Sequence, residues 1–142
     1  MEHRIADRTK WNPGPWDNEP DRVDFVTSGY ASFALRGPLG SWCGYVGVPN
    51  NHPAYEKDSY DIPAEVHGDI TYTSKCEGAI CHVPAPGMPD DVWWIGFDTA
   101  HYMDLSPSDA DHPHHTYKDI GYVIAECIRL AKQLKELECK DH

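Results

Sequence analysis

The chain has 142 residues, 40% of them hydrophobic and 11% aromatic, with five cysteines and a formal net charge of −11. That length suits one domain, which buries about 68–70% of its unfolded surface and needs no disulfide staples; a disulfide-dense miniprotein is excluded. Between residues 37 and 117 only Lys57 and Lys75 are basic against twelve Asp and Glu, so the clustered cations of an extended nucleic-acid surface are missing.

An acidic surface of this kind serves solubility, or it attracts a cation or basic partner, or it mimics a polyanion. The first ten residues are polar and lack the apolar core of a signal peptide. No apolar run approaches the length of a membrane span. The expectation is a cytoplasmic protein with no membrane partner and five reduced thiols.

Residues 1–142 read as a single domain: an N-terminal extension (1–22), a sheet region (23–98), a loop (103–116) and a helix (117–138). In the extension, Trp11 and Trp16 flank a Pro-Gly-Pro turn and should fold it onto the body. Residues 23–27 and 30–36 alternate about the turn signal Ser28-Gly29, the pattern of a hairpin. Residues 42–48 form a third strand pierced by Gly44 and Gly47, glycines that mark a bulge or a ligand close to the backbone. Residues 65–73 and 92–98 read as strands four and five. Residues 103–116, rich in Asp, Pro and His, read as a functional or disordered loop, with a lid as one functional form.

From Thr116, a good N-cap, apolar residues recur at Ile120, Val123, Ile124, Cys127, Ala131, Leu134 and Leu137, the helical period. The fold class is therefore α+β, an antiparallel sheet of about five strands with one long amphipathic helix on one face.

Three blocks put a histidine beside glycine, an aromatic and a strand: CGYVGVPNNHP (43–53), HGDITY (67–72) and WWIGFDTAH (93–101). Asp98 and His101 end a buried strand, where they can orient a proton-exchanging imidazole or bind a divalent metal. They are the candidate catalytic residues. His67, Asp98 and His101 are the candidate metal ligands, with His52 as a further contributor, although the spacing matches no HExxH-type signature. Tyr45, Tyr72, Trp93 and Trp94 would give a planar ligand an aromatic wall, although strand alternation puts Trp93 and Trp94 on opposite faces, one core and the other facing pocket or partner. The expected binding set is Tyr45, Gly47, His52, His67, Tyr72, Trp94, Asp98 and His101. Against this stands the bland reading, in which the aromatics are core and the polar groups cap strand ends.

Cys76, Cys81 and His82 are close in sequence but supply only three of the four ligands of a structural zinc. His112, His114 and His115 are loop histidines without an assigned role. Nucleophilic catalysis has little support, since no Gly-x-Ser-x-Gly, cysteine-enzyme signature or phosphate loop is present.

The three blocks and the helix that follows resemble a small family of bacteriophage and bacterial accessory proteins with no assigned activity. The resemblance covers about residues 40–137. Its setting implies an accessory or counter-defence protein, such as a sponge for a nucleotide signal. The expected function is thus binding of a small, nucleotide-like ligand, with Arg36, Lys75 or a helix N-terminus of this or a neighbouring chain meeting its phosphates. The alternatives are a metal-dependent hydrolase using the same residues and an acidic interaction module. A homo-oligomer is among the expected assemblies.

Overall fold

The computed structural model describes residues 2–3, 8–9, 11, 13–76, 80, 91–101, 103–109 and 114–140. Among the described residues six strands form one antiparallel sheet: β1 (Glu2–His3), β2 (Arg22–Thr27), β3 (Tyr30–Arg36), β4 (Trp42–Pro49), β5 (Tyr72–Ser74) and β6 (Val92–Asp98). Their order is β1-β2-β3-β4-β6-β5. The long helix α1 (Ile120–Lys140) packs across β3 and β4, and the architecture is α+β.

The β2–β3 hairpin closes on Ser28 and Gly29, both at positive φ, the two-residue turn whose twist matches the flanking strands. Alternation then separates two apolar faces. Trp42, Val46, Val48, Ile95 and Phe97 face α1 and meet Val123, Cys127, Leu130, Ala131 and Leu134. Ala31, Phe33, Tyr45, Val92 and Trp94 form a second cluster on the opposite face. The glycines of β4 belong to this packing. A Cβ on Gly44 would lie 2.5 Å from Phe97 and 2.6 Å from Cys127, and one on Gly47 would lie 3.0 Å from Trp94. They admit protein side chains, not a ligand.

The N-terminal extension is held by buried charge. Arg36, between the rings of Trp42 and Trp11, donates to Asp21 Oδ1 at 3.1 Å and to Glu19 Oε1 at 3.2 Å. Arg8 adds bonds to Asp21 and to the carbonyls of Trp16 and Glu19. Two cations thus face two carboxylates, the condition under which burying charge is tolerable. Trp16 is buried edge-on against Tyr117.

Several sequence expectations need correction. The fourth strand covers only Tyr72–Ser74, because Gly68 and Asp69 both have φ of 67° and break the extended chain before it. The helix begins at Ile120 and not at 117. Asp119 caps it, accepting the Tyr122 N–H at 2.8 Å, and Glu19 Oε2 accepts the Ile120 N–H at 2.9 Å. Thr116 instead bridges to Asp104. Ile120, Ile124 and Leu137 are only partly buried on α1, where Val123, Cys127, Leu130, Ala131 and Leu134 carry the contact. Residues 103–109 are tied down by Ser108 N–H to the Leu39 carbonyl and by the Ser41–Ser106 hydroxyl pair, while His112 lies outside the described residues.

The expectation of five free thiols also fails. Cys76 is disulfide-bonded, whereas Cys43, Cys127 and Cys139 are free; Cys81 and His82 lie outside the described residues. The expectation rested on the lack of an export signal, whereas pairing is decided by whether two thiols meet in the fold. Among the described residues no helix is long and apolar enough to cross a membrane.

Candidate functional site

Two tight turns build the site. In the first, Asp69 N–H bonds to the Val66 carbonyl at 3.0 Å, with Gly68 in the left-handed position that glycine adopts without strain. In the second, Asp104 N–H bonds to the His101 carbonyl at 3.0 Å, with Met103 at φ 73°. These turns present His67 and His101 side by side, with ring centroids 6.0 Å apart.

Each histidine meets an aspartate. His67 Nε2 lies 2.8 Å from Asp104 Oδ2, and its Nδ1 lies 2.8 Å from the Tyr122 hydroxyl. The same Asp104 oxygen accepts the His101 backbone N–H at 3.1 Å, so one carboxylate ties both turns together. Asp104 is buried, and Lys118 Nζ stands 3.6 Å from its second oxygen. His101 Nε2 is 3.1 Å from Asp98 Oδ1 but is not aligned as a hydrogen bond. Asp98 is in turn held by the Thr71 hydroxyl at 3.1 Å and the Ala100 N–H at 3.0 Å.

Gly68 lies directly over His101: a Cβ there would come 2.2 Å from Nε2. Glu126, from α1, accepts the His67 backbone N–H at 2.8 Å and pairs with Arg129 at 3.3 Å. The Tyr122 hydroxyl is pushed above its ordinary value by burial, and Glu126 and Asp104 add to this while Arg129 opposes it.

His67, Asp98 and His101 therefore come together, with Asp104 and Tyr122 as members that sequence reasoning missed. His52 does not join them. It is buried beside Tyr30, with Nε2 2.7 Å from the Leu134 carbonyl and Nδ1 accepting the Ala54 N–H at 2.9 Å. Tyr45 and Trp94 are buried around Phe33 on the face away from α1, and Gly47 backs onto Trp94. Tyr72 packs edge-on against Tyr45 at 5.4 Å. The buried rings of Tyr45 and Trp94 have no open face for a base to stack on, while Tyr72 is partly buried. Arg36 is sealed in its own ion network.

Both ring nitrogens of His67 are engaged. Among the described residues no group of three or more His, Cys, Asp or Glu is arranged to hold a metal ion. His67, Asp98 and His101 as they stand do not fit a metal centre. An open groove of about 390 Å³ lined by Ser28, Lys132, Lys135, Glu136 and Cys139 lies toward the far end of α1 and shares no residue with the histidine site. No protein-family model, curated protein or solved structure matches this chain.

Proposed function

We propose that the protein binds a small polar ligand in the notch between His67 and His101. The observation that carries this reading is the pairing of two imidazoles, His101 more exposed than His67, with two aspartates across two separate turns. The side-chain exposure of His101 is 35% and that of Asp98 30%, whereas Asp104 behind them is 3% exposed. His101 Nε2 itself is buried beneath Gly68, so Asp98 and the rest of the His101 ring are the outer groups a ligand would meet over the rigid inner carboxylate, an organisation common to sites on turns over a fixed scaffold.

The ligand's chemistry follows from its neighbours. Asp98, Asp104 and Glu126 favour an uncharged or cationic molecule with hydrogen-bonding groups, and disfavour a polyphosphate. A nucleotide would bind here through its base edge or sugar, since the buried aromatic cluster offers no stacking platform.

Native mass spectrometry after incubation with a small-molecule extract tests the proposal. Wild-type protein should carry a mass adduct, and His101→Ala should lose it while keeping its melting temperature. An adduct retained at equal occupancy in His101→Ala, or none on the wild type, would refute the reading.

A further inference from the structure

We infer that Tyr122 is a nucleophilic hydroxyl, driven by His67 and Asp104, and that this site transfers an acyl group from an uncharged or cationic ester. The inference rests on the binding reading and adds a reaction to it.

Asp104 Oδ2, His67 Nε2, His67 Nδ1 and the Tyr122 hydroxyl follow one another with contacts of 2.8 Å on both sides of the ring. An ionised carboxylate carries no proton, so Nε2 must donate to it. In the neutral ring Nδ1 is then a bare acceptor, and the Tyr122 O–H donates to it. A hydroxyl, a base and a group orienting that base form the constellation that activates a nucleophile. Its order is set by the fold. Asp104 is buried and pinned by the His101 N–H, His67 lies between, and Tyr122 is 37% exposed at the solvent end.

Two further facts fit. The Tyr122 hydroxyl is held above its ordinary value, so it does not ionise unaided and needs a base to become nucleophilic. Lys118 Nζ, paired with Asp104 at 3.6 Å, lies 5.7 Å from the centre of the Tyr122 ring and brings a cation to the edge of the relay. Asp98, Asp104 and Glu126 outnumber Lys118 and Arg129 around the relay, which favours acyl donors without negative charge over phosphoryl donors.

In the reaction, the Tyr122 oxygen attacks the acyl carbon and forms the O–C bond as its proton passes to His67 Nδ1. Collapse of the tetrahedral species breaks the bond to the leaving alkoxide, which takes that proton. Water then attacks the acyl-tyrosine through the same base, releasing the carboxylic acid and restoring the phenol. Asp104 acts as a positioning residue throughout.

The test uses the full chain and p-nitrophenyl acetate, followed by intact mass and peptide mapping. One acetyl group should appear on Tyr122 with a burst of p-nitrophenolate. In His67→Gln acetylation at Tyr122 should slow by about 100-fold or more, in line with the loss of a general base. Asp104→Asn should slow it and change its pH profile, while Tyr122→Phe, which keeps the ring, should abolish the burst. Acetylation confined to lysines, or Tyr122 labelled equally fast in a folded His67→Gln, would overturn the proposal. The ligand adduct of the native mass experiment separates the two readings: if it persists while Tyr122 is never acetylated, the relay falls and the binding site stands.

Discussion

His52 and His101 are the same side chain put to opposite uses. His52 is buried and spans from the Ala54 N–H to the carbonyl of Leu134 on α1. His52→Ala should therefore cost about 2–4 kcal/mol, through a cavity and an orphaned Ala54 N–H, and leave ligand occupancy per folded molecule unchanged. Denaturant unfolding beside the adduct assay checks both halves. His101 should behave inversely, because its ring sits at a rim and its backbone, not its side chain, holds Asp104. From the chain alone His67, Asp98 and His101 stand out as polar groups bordering glycine turns. Asp104 and Tyr122 do not, since their bonds to His67 span 37 and 55 positions. A faint signal exists: Asp104 follows His101 by three residues, and Tyr122 and Glu126 share a helix face at a spacing of four.

At the scale of elements, α1 makes the site possible by closing the sheet and reaching the 65–71 segment. Its buried stripe runs through Val123, Cys127, Leu130, Ala131 and Leu134. Leu134→Ala should cost about 2–5 kcal/mol, and Ile124→Ala clearly less, because Ile124 keeps partial contact with solvent. Equal losses in the two variants would contradict this packing. The helical period identifies the apolar stripe but not which members are sealed, because curvature and the sheet's twist decide how far each side of the stripe is covered. The start of the helix has a similar cause. Thr116 has the chemistry of a cap, yet the chain commits its backbone to Met103 and Leu105, and Asp119 takes the role.

The whole molecule is an acidic chain whose buried ionisable groups are held neutral or paired. Burial pushes the Cys43 thiol from 9.0 to about 11 and the Cys127 thiol from 9.0 to about 12, and it raises the hydroxyls of Tyr30, Tyr45 and Tyr117. Between pH 9 and 12 the unfolded chain therefore releases protons that the folded chain retains. These groups contribute stability that is fully present below pH 9 and lost as the pH climbs through the raised values. The denaturation midpoint should fall steadily above pH 9. A Cys127→Ser variant, whose hydroxyl does not titrate there, should fall less steeply. An unchanged midpoint up to pH 11 would show that these thiols are not buried as described.

The sequence by itself determines the α+β class, the hairpin at Ser28-Gly29, the amphipathic helix and the residue types of the histidine notch, since all of these are written in local periodicity and turn chemistry. Tertiary structure alone decides the rest. It separates His52 from His101, puts Tyr45 and Trp94 to use as core and commits Cys76 to a disulfide. It also aligns Asp104, His67 and Tyr122. The physical reason is the same in each case. Period and propensity fix which way a side chain points from its own element, but what it meets depends on a second element far away in the chain.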